Sequence, residues 1–291
     1  MLKASRGADG GARIAPDLEH VADAISARGG RLGARLIMVG ETVSTNDDAK
    51  RAAKDGADHG TVWLAESQSG GRGRQGRAWL SVRGENLLFS VLLRIACAPN
   101  RLPPVSLACG LAVRDAVATA LGDDASVLVK WPNDVLIKQP ANGLARKVSG
   151  ILVESAALGA RTVHLVVGIG INVHTRRLPN EISDIATSIA IERTARGLEG
   201  APDRASLLAD VLLSLDHYVE HVAHQGLGLV HGRLSRYDAM MGREVESDAG
   251  DVRGTACGID LDGRLLVRTA EGVIKQVSAG EVRVRMIGTS S

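Results

Sequence analysis

Residues 66–79 read ESQSGGRGRQGRAW, and within them Gly70, Gly71, Gly73 and Gly76 are interleaved with Arg72, Arg74 and Arg77. Glycine has no Cβ, so its backbone can turn sharply and approach a ligand closely. Arginine adds a permanent charge on a planar fork that matches carboxylate or phosphate oxygens. The run reads either as a loop that closes over an anion or as a basic surface turn. Gly71, Gly73 and Gly76 also spell GxGxxG, which in a dinucleotide-binding fold leaves a strand and opens a helix. Residues 61–65 supply a strand, but 79–84 (WLSVRG) make no helix start. A dinucleotide-binding fold is set aside on that ground.

Working outward, Leu18, Val21, Ala22 and Ile25 predict a short helix over 16–28, closed by Gly29-Gly30. From Leu36 onward strands are predicted over 36–43, 61–65, 87–95, 127–130, 134–137, 148–154 and 163–171, the last two antiparallel and joined at 158–160. Helices are predicted over 46–55, capped by Ser44-Thr45, and over 104–121, 204–225 and 227–237. The buried side of 104–121 would be Val105, Leu107, Ala108, Leu111, Val117 and Leu121. Residues 138–144 read as a loop and 175–190 as irregular. After Gly242, short β-prone runs at 243–246, 254–259, 265–269, 273–277 and 282–286 alternate with turns such as Asp262-Gly263, which predicts a small appended β-barrel.

The totals narrow the class. With 291 residues, 45% hydrophobic and 23% charged, the chain is long enough for a large core and has the make-up of an ordinary globular protein. A net charge of +2 is too small for nucleic acid to be the main partner. Cys97, Cys109 and Cys257 are odd in number and lack CxxC spacing, which fits a reducing cytoplasm. No apolar run is expected to reach the roughly 18 residues of a membrane span, and no secretory signal is recognised.

Other stretches carry chemistry. Lys130-Trp131-Pro132-Asn133-Asp134 sets a cation, an aromatic and polar groups around a rigid turn; Asp134 could orient an arginine or hold a metal that bridges phosphates. Lys147 starts the strand KVSGILVE, where Gly150 marks close approach of a ligand or another backbone; Gly168 and Gly170 leave similar room beside Asn172. His217-Tyr218-Val219-Glu220-His221 reads HxxEH, a zinc-peptidase pattern. Leu208, Val211, Leu212, Leu215, Tyr218 and Val222 already define that helix's buried face, so the histidines are read as solvated.

Ser44-Thr45-Asn46, the GRGRQGR core, KWPND, residues 147–154 and Gly168–Asn172 occur in the order seen in biotin protein ligases, and the resemblance covers about 36–286. It implies an α+β fold, a central mixed or antiparallel sheet with flanking helices (class II synthetase-like), followed by a small C-terminal SH3-like β-barrel. The implied division is a partly disordered leader at 1–35, a catalytic domain at 36–238 and the barrel at 239–291. The implied activity is attachment of biotin to a lysine of a biotin carboxyl carrier domain through biotinyl-5′-AMP, using ATP and Mg2+. Lys147 and Arg72 would be catalytic; Ser44, Thr45, Asn46, Gln68, Gly71, Arg72, Gly73, Arg74, Lys147 and Gly150 would contact biotin. Arg74, Arg77, Trp79, Asn133, Asp134, Lys147, Asn172 and Arg285 would face the nucleotide, with Asp134 the candidate Mg2+ ligand through the phosphates. The 35 residues ahead of the domain leave no room for the winged helix of family members that double as repressors, so no DNA binding is expected. A cytoplasmic monomer or weak homodimer is expected. A lipoate ligase is the nearest alternative, sharing the fold and the adenylation chemistry, but KWPND favours biotin; a nucleotide-dependent binding module is the alternative outside enzymes.

Overall fold

The computed structural model describes residues 3–6, 15–18, 20–95, 102–140, 144–158, 161–200, 202–278 and 282–284. In chain order the elements are β1 (Lys3–Arg6), a 3-10 turn (Pro16–Leu18), α1 (Val21–Ala27), β2 (Arg35–Val39), α2 (Thr45–Lys54), β3 (Val62–Ala65) and a second 3-10 turn (Arg74–Gly76). There follow β4 (Asn86–Leu93), α3 (Leu102–Leu121), β5 (Val127–Lys130), β6 (Asp134–Lys138), β7 (Ala145–Leu158), β8 (Arg161–Asn172), α4 (Ile189–Ala195), α5 (Arg204–Gln225) and α6 (His231–Arg236). The chain ends in β9 (Glu244–Ser247), β10 (Arg253–Ile259), β11 (Leu265–Arg268), β12 (Ile274–Val277) and β13 (Val282–Val284).

An eight-stranded sheet runs β1-β2-β3-β4-β8-β7-β6-β5. Its β1–β2 and β2–β3 pairs are parallel and the others antiparallel, so of the mixed or antiparallel sheet that the resemblance implied, it is the mixed one. Every residue of β4 (NLLFSVLL) is buried because helices cover both faces. Leu87, Phe89, Val91 and Leu93 join the main core with residues of α3 and α5. Leu92 faces the other way, against Ala49 and Ala53 of α2. The site lies on that second face.

Two elements escaped the sequence reading: β1, which pairs with β2, and α4 within the stretch read as irregular. The segment set outside the catalytic domain sends Leu18, Val21, Ile25 and Leu32 into the main core. Pro103–Leu121 is long and apolar enough to cross a membrane, contrary to the expectation that no run would be, because Arg114 and Asp115 interrupt it in the sequence. It is a core helix, 78% buried, with the Arg114 guanidinium donating to the Val127 carbonyl and stacked 3.5 Å over the Tyr237 ring. On α5 the expected apolar face is buried apart from half-buried Tyr218, while His217 and His224 are exposed.

β9–β13 form a five-stranded antiparallel sheet in the order β12-β11-β10-β9-β13. Among the described residues β12 and β13 are opposite edges, so the expected closed barrel is seen as an open sheet. Its apolar side packs on Leu107 and Leu111 of α3 and on Trp131, whose indole Nε1 donates to the Gly263 carbonyl at 2.9 Å.

One buried ionic cluster joins four parts of the chain. Arg204, at the start of α5 and 1% exposed, donates to Glu66 Oε2 at 2.8 Å, to both Asp17 oxygens at 2.7 Å and to the Asn86 carbonyl at 3.1 Å. Ala15 N donates to Glu66 Oε1 at 2.7 Å. Burial alone would push the Asp17 carboxyl up, but Arg204 outweighs it and holds the group below the usual carboxylate range. Removing one partner of a buried pair strands the other, at a cost of about 3–5 kcal/mol. Arg204→Met is therefore expected to lose about that much stability in urea unfolding, because Glu66 stays buried. A folded-state pKa below the unfolded one stabilises above the unfolded value and is lost as pH falls through the folded one. Acid unfolding followed by circular dichroism should thus begin at higher pH in Asp17→Asn than in the parent protein.

Candidate active site

Side chains alternate across a strand, and β8 uses this to make a hollow. Val167, Ile169 and Ile171 enter the core, whereas Gly168, Gly170 and Asn172 face the other side. Gly170 pairs with Gly150 of β7, so two neighbouring strands lack side chains at one spot. A Cβ on Gly168 would lie 2.2 Å from Asn46 Oδ1, and one on Gly170 would lie 2.5 Å from the Trp79 indole. The room anticipated at these glycines is taken by Asn46 and Trp79. Above them opens a cavity of about 680 Å³, within the range of small-molecule sites.

Lys147 reaches this cavity through a bulge. It stands three positions from Gly150, so a regular strand would turn it to the opposite face. The β6–β7 register shifts between Val135 and Leu136: Val135 pairs with Ser149 and Leu136 with Lys147, leaving Val148 as the extra residue. Val148 and Ser149 are both fully buried, and Lys147 returns to the side of Gly150, the re-aiming that bulges provide. Its backbone is held by Ile185 and Thr187, each at 2.8 Å. Lys147 Nζ lies 2.7 Å from Asp134 Oδ1 and 5.5 Å from the centre of the Trp79 ring.

The glycine–arginine run is a small hairpin. Arg72 bridges to Ala78, Gly73 N donates to the Arg77 carbonyl at 2.7 Å and Trp79 N to the Gly71 carbonyl at 2.9 Å. The turn places Gln75 at φ +55° and Gly76 at φ +72°, left-handed conformations that suit glycine at the second position. No α-helix follows Gly76, in keeping with the rejected dinucleotide fold. The Arg72 guanidinium donates to Asp47 Oδ1 at 2.5 Å. That hydrogen bond holds the Asp47 carboxyl below its usual range and raises Arg72.

At the other end, Ser44 is the N-cap of α2, as the sequence suggested, yet its hydroxyl makes no capping hydrogen bond and lines the cavity instead. Thr45 N and Oγ1 lie 2.8 and 3.1 Å from Gln68 Oε1. Asn133 Nδ2 donates to the Ile151 carbonyl at 2.8 Å and Asn172 Nδ2 to the Thr187 carbonyl at 3.0 Å, so both amides brace the wall they stand in. Trp79 Nε1 is buried with no hydrogen-bond partner among the described residues.

Of the residues singled out from sequence, Ser44, Thr45, Asn46, Gln68, Arg72, Gly73, Arg74, Arg77, Trp79, Asn133, Asp134, Lys147, Gly150 and Asn172 line this one cavity. Gly71 does not; it is buried behind the hairpin, where a Cβ would meet the Trp79 carbonyl at 3.1 Å. Arg285 lies outside the described residues. Phe89, Lys130, Ile182, Asp184, Ile185 and Ala186 also line the cavity and were not assigned a role. Only Lys130 had a signal, its place in KWPND. Among the described residues no group of three or more His, Cys, Asp or Glu could hold a metal ion.

The Biotin/lipoate A/B protein ligase family matches residues 39–172, and the Biotin protein ligase C terminal domain matches residues 244–285. The biotin–[acetyl-CoA-carboxylase] ligase of Mycobacterium tuberculosis is 35% identical over 85% of this chain and 88% of its own. The bifunctional ligase/repressor BirA of Bacillus spizizenii is 34% identical over 85% of this chain and 74% of its own. The biotin protein ligase of Aquifex aeolicus, solved in complex with biotin and ATP, superposes with a TM-score of 0.71 at 31% identity, covering 86% of this chain and 99% of that one. Fold and cavity together define an enzyme of the biotin/lipoate ligase class. Within that class the chain belongs to the biotin protein ligases.

Trp63 and Trp131 are buried and Trp79 is half-buried. Gly170→Ala should expel the Trp79 indole from its seat, at a packing cost of about 1–3 kcal/mol. Acrylamide quenching should then reach a larger share of the tryptophan emission than in the parent protein, approaching one of the three indoles.

Proposed function

We propose that this ligase joins biotin to a lysine of a biotin carboxyl carrier domain in two steps. In the first, a biotin carboxylate oxygen bonds to the α-phosphorus of ATP while the bond to the β-phosphate oxygen breaks, giving biotinyl-5′-AMP and pyrophosphate. In the second, the acceptor lysine nitrogen bonds to the acyl carbon, the bond to AMP breaks and the amine loses a proton. The observation that carries this reading is Lys147, re-aimed by a bulge into a cavity beneath an arginine hairpin. Two anions that repel one another need such fixed cations, which also stabilise charge developing at the α-phosphate.

In this reading Lys147 bridges carboxylate and α-phosphate. Arg72, with Gly73 and Arg74, covers biotin and the adenylate phosphate, and Arg77 meets the outgoing pyrophosphate. Gly71 shapes the hairpin from behind rather than touching ligand. Ser44, Thr45, Asn46 and Gln68 surround the ureido ring, which needs both donors and acceptors; Gly150 leaves room beside it. Trp79 lies beside the adenine, and Asn133 and Asn172 shape the nucleotide wall; Arg285 is proposed for the same side. Asp134 suits Mg2+, which uses one or two protein carboxylates and otherwise keeps waters and substrate phosphates. Bound there, Mg2+ would neutralise phosphate charge. Residues 36–238 are proposed as the catalytic domain and 239–291 as an SH3-like unit, in a cytoplasmic enzyme.

Pyrophosphate exchange into ATP should require biotin; exchange that answers to lipoate and not to biotin would overturn the assignment. Lys147→Ala should slow adenylate formation by about a hundred- to a thousandfold with the thermal unfolding midpoint little changed, the scale seen when one charge-stabilising donor is removed. Amides of residues 71–77 should exchange hydrogen quickly in free protein and slowly with biotinyl-5′-AMP bound, since the few hydrogen bonds of a hairpin open cheaply. Equal exchange in the two states would contradict closure by this loop.

A further inference from the structure

A hydrogen-bonded chain behind the head-group wall is given its direction from outside the cavity. Glu154, half-buried on β7, lies 2.7 Å from Lys50 Nζ through Oε1 and accepts from Asn46 Nδ2 at 2.7 Å through Oε2. A carboxylate only accepts, so the Asn46 amide has its nitrogen toward Glu154 and its oxygen toward Ser90. Ser90 Oγ is fully buried, 2.5 Å from Asn46 Oδ1 and 2.7 Å from Thr45 Oγ1. Ser90 has one hydroxyl proton and the amide oxygen has none, so that proton goes to Asn46. Thr45 then sends its own proton to Ser90 or to Gln68 Oε1, and meets the cavity as an acceptor. Gly168 makes the slot in which the Asn46 amide lies.

We infer that Glu154 is a positioning residue: through Asn46 it fixes the order of donors and acceptors that the head-group wall offers a ligand. The inference rests on the reading that this wall meets the ureido ring of biotin. A cyclic urea brings ring N–H groups to a wall of fixed acceptors, whereas the dithiolane ring of lipoate has none to bring. Neither Glu154 nor Lys50 lines the cavity, so their influence is on the orientation of Asn46 and not on contact.

The test is Glu154→Gln, alone and with Lys50→Met, in biotin-dependent pyrophosphate exchange. The single oxygen of the substituted amide is drawn to the Lys50 ammonium, a charge-assisted bond, which leaves its NH2 toward Asn46 and forces the Asn46 amide to turn over. One mismatched buried hydrogen bond should raise the KM for biotin about tenfold, with kcat and the KM for ATP within about twofold. Lys50→Met in the Glu154→Gln background frees the glutamine oxygen for Asn46 and should bring the biotin KM back to within about threefold of the parent. Loss of fold would lower kcat through the active fraction and leave KM alone, so the split separates positioning from structure. A biotin KM unchanged in Glu154→Gln, a loss carried by kcat alone, or no recovery in the double variant overturns the inference. Parent protein without biotin-dependent exchange would instead overturn the reading on which it rests, and the inference with it.

Discussion

The absence of side chains at Gly150, Gly168 and Gly170, on the face of the sheet away from the main core, governs the rest of the site. The reverse face of the same strands carries Ile151, Ile169 and Ile171, all buried in the core. The floor of the cavity is thus as rigid as the core, because it is the back of the core. Trp79, Asn46 and Lys147 come from separate parts of the chain, and each depends on that bare patch. A methyl group at Gly168 would overlap Asn46, and one at Gly150 would lie 3.1 Å from Lys147 Nζ. Side chains that stand on the fixed side of a packed sheet hold their positions because the strands beneath them cannot shift.

Charge is arranged on the same plan. Lys147 is paired with Asp134, Arg72 with Asp47, and Lys50 with both Asp47 and Glu154. A bare cation in a half-closed cavity is costly, and neighbouring carboxylates offset that cost before ligand arrives. In the proposed reading, an incoming carboxylate or phosphate would replace one anion by another at Lys147 instead of neutralising an isolated charge. The gain on binding is correspondingly smaller, but the lysine is held in place beforehand, and catalysis by fixed charges depends on that preorganisation.

Much of this was legible in the sequence because it is local. Alternation along VVGIGIN, the glycine–arginine run, and the helical periodicity of 104–121 and 204–225 are all readable within a window of about 18 residues. What escaped depends on distant partners. Arg204 reads as an ordinary helix-start residue until Glu66 and Asp17 are seen around it. Ser90 looks like a break in an apolar strand, and only its register opposite Gly168 shows that it faces the site. The bulge at Val148 has no signature of its own; the spacing of Lys147 and Gly150 required one if both were to share a face. Arg114 hid only how long and apolar the 104–121 helix is, by interrupting its apolar run while lying fully buried itself.

The KWPND turn joins the two sheets. Lys130, Asn133 and Asp134 line the cavity, while Trp131 between them turns the other way, into the core shared with β9–β13. Its indole bond to the Gly263 carbonyl ties that turn to the loop between β10 and β11. Gly263, at φ +79°, comes so close to α3 that a Cβ would lie 2.9 Å from Pro104 N. The Val129 backbone is paired on the same edge with Tyr237 and Ala239 of the connecting segment, so β5 is fixed at its middle and at its end. The position of Asp134, and with it the partner of Lys147, is therefore set from the C-terminal sheet as well as from the strand it begins. A chain without that sheet would keep every described residue that lines the cavity and lose what holds one wall of it at the right distance from the other.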